Sequence, residues 1–299
     1  MNRWTAVAAL ALVAVAALHV ASIPRTIWEY DESFFSMAVE RYQPLVHHPP
    51  PPGYPLYIGF AKLIPTDPFH ALLFTSVLAT LAGLVIFTFA FRDLTGSAVV
   101  GLVGAVVLYA SPAVLISGTL PQSDAGALAL LGLAIWACGR GNPFAMGVAC
   151  AAAIGWRLQF SIVVVPMFVV AMFQLRVWRE RIIALATFGV ACLAWFVPLV
   201  MAAGGPESWW HWLSGQAAYY AEHDSHLSRS GVSKGLIALR FLAHPWGPKW
   251  LALPLLVLAI VGLAERRRPR RLMRQRLAAA RRRDAAASAA GDGGVPMLI

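Results

Sequence analysis

The chain has 299 residues, 59% of them hydrophobic and only 13% charged, and its mean hydropathy is +0.66. Soluble domains of this length do not have such a composition, so it excludes a soluble globular protein and predicts an all-α polytopic membrane protein. The net charge of +10 comes from one segment, because ten arginines lie between Arg266 and Arg283 and the other residues carry 14 basic and 14 acidic side chains. We expect residues 1–265 to form the transmembrane domain and 266–299 to form a disordered cytoplasmic tail. We expect this tail to contact anionic lipid and not nucleic acid.

The first apolar run, residues 4–22, follows Asn2 and Arg3 in the manner of a signal sequence. His19 lies where a signal peptidase requires a small residue, so we expect an uncleaved signal anchor. Five further runs are long enough, or nearly so, to cross a bilayer; they are 68–91, 97–117, 125–139, 182–203 and 249–264.

Residues 143–175 form a longer apolar stretch, which as one helix would measure about 50 Å against about 30 Å for the hydrocarbon core. Arg157 interrupts it and both of its ends are basic, so we expect a hairpin with Arg157 near the turn. Segment 54–65 has the length of a re-entrant or interfacial helix. If it does not cross, every basic turn falls in the cytoplasm, which predicts about eight transmembrane helices with both termini inside and a long outer loop at 204–248.

An acidic group, Glu29, Asp31 and Glu32, follows the first span and holds three of the 14 acidic residues. Carboxylates at the edge of a membrane are costly to desolvate, so such a group predicts a site, although a solvated acidic loop is the alternative. Apolar residues recur at helical spacing after Asp31 and predict a short amphipathic helix on the outer face. Asp31 and Glu32 would lie at its N-terminus, where the helix dipole favours carboxylates, unless Asp31 is simply the N-cap.

Three short stretches, 51–57, 120–124 and 154–159, lie in the order expected of one known family. Together with the Asp31-Glu32 opening of the first outer loop, they resemble the GT-C glycosyltransferases, which include aminoarabinose transferase and the protein O-mannosyltransferases. The resemblance covers roughly residues 4–220. It implies the inverting transfer of a sugar from a polyprenyl-phosphate donor to a lipid, glycan or protein acceptor, on the outer face of the bacterial inner membrane.

The resemblance also implies roles for individual residues. Asp31 matches the catalytic base, with Glu32 as the fallback. The substrate-binding residues would be His47, His48, Tyr54, Asp124 and Arg157, with the histidines and Arg157 meeting the donor phosphate.

Each of these roles has an alternative. Arg157 is otherwise an arginine that extends its charge to the membrane surface, His48 a packing residue and Asp124 part of a helix cap. No metal is assigned, and the acidic and histidine residues at 222–226 leave a divalent cation open.

Two other functions remain open from the sequence. A transporter or flippase for a lipid-linked or anionic substrate would use the same outer cavity, although no internal repeat supports alternating access. Relative to the GT-C family the chain is short at its C-terminus, which leaves a catalytically inactive accessory protein as the second alternative.

Overall fold

A computed structural model describes residues 3–224 and Gly235. The predicted span 249–264 and the tail 266–299 lie outside this part of the chain. Within it the chain is all-helical and forms no β-strand. The helices are α1 (Arg3–Ala21), α2 (Tyr30–Glu40), α3 (Pro55–Ala61), α4 (Pro68–Thr95), α5 (Ala98–Tyr109), α6 (Pro112–Thr119), α7 (Asp124–Arg140), α8 (Pro143–Trp156), α9 (Ser161–Gln174), α10 (Trp178–Ala202) and α11 (Pro206–Tyr219).

Three of these helices, α1, α4 and α10, are long and apolar enough to cross a membrane. The predicted run 97–117 is divided into α5 and α6, which meet at 72° and would make a fourth span if they cross as one. Pro112 explains the bend, because a proline disfavours helical backbone at the residue before it, and Ser111 is indeed extended. The described part of the chain is therefore that of a helical membrane protein with three candidate spans, and the count of eight stays a prediction.

Helices α4 and α7 run parallel to each other. Phe87 packs against Gly132, and further along both helices Phe89 stacks on Trp136 with ring centroids 5.9 Å apart. Both helices therefore begin at the end of the bundle where Asp124 lies. We call this the acidic end.

The opposite end of α4 and α7 is basic. Arg92 and Arg140 both contact the carboxylate of Asp93, at 2.8 and 3.1 Å. Trp136 donates its indole N–H to the same carboxylate at 2.8 Å. The carboxylate thus joins the two helix ends and holds two guanidiniums at the end of the bundle furthest from Asp124.

The chain reverses direction at Arg157, as expected for 143–175. Gly147 of α8 lies directly against the backbone of Phe188 in α10. Phe168 of α9 stacks on the ring of the same Phe188, with centroids 4.7 Å apart. Residues before and after Arg157 thus contact the same residue of α10, so α9 runs back alongside α8. Arg157, at the turn between them, lies at the acidic end.

The amphipathic helix expected after Asp31 is α2. Phe35 and Ala38 are buried on the face predicted to be apolar, and the helix packs against α3 and α4. The N-cap residue of α2 is Glu29 rather than Asp31, and the Glu29 side chain makes no capping hydrogen bond. Glu32 lies on the buried face with Phe35, since residues three apart share a helix face.

The segment predicted at 54–65 contains only α3, a helix of seven residues. Seven residues rise about 10 Å, which is too short to cross a membrane. Tyr57, Ile58 and Ala61 are completely buried, so α3 packs into the protein at the acidic end.

The stretch 204–248, predicted as a loop, contains helix α11 in its described part. Gly204 and Gly205 have positive φ angles that end α10, and Pro206 begins the next helix with its φ already set.

We predict that Gly53→Ala destabilises the protein. Gly53 has φ of 108°, and an added Cβ would lie 2.5 Å from Leu199 Cδ1. Strain of this kind costs about 1–3 kcal/mol. The matched control is Gly59→Ala in α3, where a Cβ meets nothing within 4 Å and helix propensity predicts a gain of up to about 1 kcal/mol. Thermal unfolding in detergent measures both, and equal melting temperatures would contradict the role given to Gly53.

Candidate functional site

At the acidic end, four separate parts of the chain meet around the hydroxyl of Tyr54. This hydroxyl lies close enough to the side chains of Gln159, Arg157, Asp31 and Asp124 to interact with them electrostatically. The structure therefore brings together Asp31, Tyr54, Asp124 and Arg157, four of the seven predicted site residues. We call these four residues and Gln159 the polar cluster.

The end of α8 is attached to the beginning of α7 through side chains. Arg157 Nη1 lies 2.5 Å from Asp124 Oδ2 and donates to Ser123 Oγ at 3.1 Å. Trp156 donates its indole N–H to the Ser123 carbonyl at 3.0 Å. The N-cap of α7 is Ser123 and not Asp124, and its hydroxyl accepts from Arg157 instead of capping the helix.

These contacts bear on the alternative for Arg157. A lipid-seeking arginine extends its guanidinium away from the protein. Here the Arg157 side chain is only 25% exposed and pairs with Asp124, which is 41% exposed. The guanidinium thus belongs to the polar cluster, with an open side that a ligand can reach.

Tyr54 is held in a left-handed backbone conformation, with φ of 47°. For a residue with a side chain this costs about 1–3 kcal/mol and is found chiefly at functional sites. The ring is buried and meets Phe35 edge-on, with centroids 5.0 Å apart. Burial raises the pKa of the phenol, although the charge of Arg157 and the nearby Gln159 side chain oppose this, so the hydroxyl remains a neutral hydrogen-bond donor.

The two predicted carboxylates of α2 have different surroundings. Asp31 is exposed and lies in the polar cluster, whereas Glu32 is fully buried. Glu32 Oε2 accepts the Trp28 N–H at 2.8 Å, and Glu32 Oε1 has no hydrogen-bond partner among the described residues. Burial raises the pKa of Glu32, and the nearby Glu29 charge adds to that shift. Asp31 is thus the carboxylate that a substrate can reach.

A second contact links the acidic group to the head of α7. Gln122 donates to Glu29 Oε2 at 2.6 Å, and its own carbonyl accepts the Ser76 hydroxyl at 2.9 Å. The sequence did not identify Gln122, Ser123 or Gln159 as site residues. They could have been identified from their positions in the stretches 120–124 and 154–159, where polar side chains lie next to apolar helices.

The two histidines lie beside α2. The rings of His47 and His48 are 6.5 and 6.1 Å from the ring of Phe34. His47 is exposed, and the backbone of His48 pairs with Gln43. Neither ring is hydrogen-bonded to Arg157 in the described structure, so a contact with a donor phosphate stays a prediction for both.

No group of three or more His, Cys, Asp or Glu side chains arranged to hold a metal occurs among the described residues. In the stretch 222–226, the His223 ring stacks on Tyr219 with centroids 4.6 Å apart, and its Nδ1 contacts the Tyr219 carbonyl. His226 lies outside the described part of the chain. The metal therefore stays unassigned.

Comparison of the chain with protein-family models, with curated proteins and with solved structures gives no match. The likeness to GT-C transferases therefore depends on the short stretches quoted above. Residues of these stretches, together with Asp31, form the polar cluster.

We predict that Glu32→Gln flattens the dependence of stability on pH. The folded state raises the pKa of Glu32, so its stabilising effect is full below the usual carboxyl range and is lost as the pH rises through the raised value. The melting temperature of the wild type, relative to the variant, should fall as the pH rises from the usual carboxyl range through the raised pKa of Glu32. Glu40→Gln, which removes an exposed carboxylate from the same helix, is the control. Equal pH profiles for the two variants would contradict the buried state of Glu32.

Proposed function

We propose that the protein is a membrane glycosyltransferase that moves a sugar from a polyprenyl-phosphate donor to an acceptor hydroxyl, with inversion at the anomeric carbon. The observation that carries the proposal is the polar cluster. It combines an exposed carboxylate, Asp31, with a protein-held guanidinium, Arg157, around the hydroxyl of Tyr54. A base and a phosphate-binding cation are the two groups that this chemistry needs.

In the proposed reaction, Asp31 takes the proton of the acceptor hydroxyl. The acceptor oxygen forms a bond to the anomeric carbon, and the bond from that carbon to the phosphate oxygen breaks, leaving its electron pair on the polyprenyl phosphate. Arg157 stabilises this departing charge, because a guanidinium keeps its positive charge and matches phosphate geometry. Tyr54 is a neutral donor placed to orient either substrate.

The proposed site faces the outside of the bacterial inner membrane. Support comes from the direction of the helices: the polar cluster lies at the acidic end, while Arg92 and Arg140 lie at the other end. Basic residues are retained on the cytoplasmic side of membrane proteins. A polyprenyl-phosphate donor would keep its chain in the bilayer with its headgroup at the acidic end.

We predict that Asp31→Asn lowers sugar transfer at least about a hundredfold, because the amide keeps the shape of the side chain but cannot accept the proton. The assay uses purified protein in detergent, radiolabelled lipid-linked sugars and candidate acceptors. Glu40→Gln removes a carboxylate from the other end of α2 and should leave transfer unchanged.

Several outcomes would overturn this proposal. One is transfer that survives Asp31→Asn. Another is movement of the lipid across sealed vesicles with no transfer, which would establish the flippase alternative. The complete absence of transfer by the wild type would favour the inactive accessory protein.

We predict opposite accessibility for the two ends of α4. With Cys138, Cys150 and Cys192 replaced, a cysteine at Thr66 should react with an impermeant maleimide added to intact cells, because it precedes α4 at the acidic end. A cysteine at Thr95 should react only after the membrane is permeabilised. Both native threonines are exposed. Reaction of Thr95→Cys in intact cells would contradict the proposed orientation.

A further inference from the structure

The guanidinium of Arg157 is already engaged by a carboxylate. Its Nη1 contacts both Asp124 Oδ2 and Ser123 Oγ, at 2.5 and 3.1 Å. Both charged side chains retain exposure, 25% for Arg157 and 41% for Asp124. An anion that approaches Arg157 from the open side therefore meets a cation whose charge is largely neutralised.

Other carboxylates lie near the Arg157–Asp124 pair. Asp31 and Asp124 lie within reach of the Tyr54 hydroxyl together with Arg157, and Glu29 is tied to Gln122 two residues before Asp124. The acidic end thus holds two carboxylates, Glu29 and Asp31, besides the one that pairs with Arg157. An added phosphate would be repelled unless a contact with one of these carboxylates is exchanged for a contact with the phosphate.

We propose that Asp124 is a displaceable internal ligand of Arg157, which occupies the phosphate subsite until an anionic headgroup replaces it. This inference rests on the proposed function and deepens it, since it assigns Asp124 the role of a competitor rather than a substrate-binding group. In the empty site the pair holds Arg157 in place. In the occupied site the phosphate takes the guanidinium and Asp124 turns toward solvent.

The head of α7 favours such an exchange. No side chain caps this helix, because the Ser123 hydroxyl accepts from Arg157. The positive end of the helix dipole thus lies beside Arg157 and attracts whichever anion is present. The positive charge that favours Asp124 in the empty site is available to the phosphate once Asp124 has moved.

The test is the affinity for a polyprenyl phosphate, measured by titration calorimetry in detergent. Removing the competitor with Asp124→Asn should tighten binding about fivefold, the effect expected for loss of a partly exposed ion pair. Glu29→Gln is the matched control, since it removes one carboxylate of the same acidic end that does not contact Arg157, and it should change affinity less than about twofold. Inorganic phosphate, titrated separately, shows whether the headgroup alone drives the exchange.

Measurements on the Arg157→Gln variant separate this inference from the proposed function. This variant should bind the polyprenyl phosphate weakly, and adding Asp124→Asn to it should not change the affinity further. If Arg157→Gln binds the lipid phosphate normally, the proposed donor site is wrong. If Arg157→Gln loses binding but Asp124→Asn is no tighter than the wild type, only the exchange is overturned.

Two further results bear on the exchange. If Glu29→Gln tightens binding as much as Asp124→Asn does, general charge repulsion explains the effect and the exchange is overturned. If Asp124→Asn unfolds, the measurement is repeated with Asp124→Ser, because serine is also favoured at the start of a helix.

Discussion

The contact on which the acidic end depends is the packing of the Trp156 indole against Gly126. A Cβ on Gly126 would fall 2.2 Å from the indole, so the ring lies directly on the backbone of α7. The indole N–H then reaches the Ser123 carbonyl, and the next residue, Arg157, reaches Asp124. One ring against one glycine therefore sets the separation of α7 and α8 and the position of the only guanidinium in the polar cluster.

The sequence predicted those features that follow from local pattern. Apolar length located α1, α4 and α10, and the interruption at Arg157 located a reversal of the chain. Helical spacing gave the buried face of α2 because Phe35 and Ala38 must avoid water whatever they contact.

Other features depend on contacts between distant segments, which no local pattern contains. Asp31 and Glu32 are both at helical spacing from Phe35, and the packing of α2 on α3 and α4 is what buries Glu32 and leaves Asp31 exposed. The pairing of Arg157 with Asp124 joins residues more than thirty positions apart. Sequence order placed both at the ends of apolar segments but could not show that they meet.

The separation of the acidic end from the basic end has an electrical consequence. In the orientation that we propose, Arg92 and Arg140 lie toward the cytoplasm and the carboxylates of the acidic end lie outside, which would give the molecule a dipole along the membrane normal. A membrane potential that is negative inside would stabilise this proposed orientation by up to about 2.3 kcal/mol per charge per 100 mV. The same potential would also pull an anionic headgroup outward, toward the end of the bundle that we propose receives it.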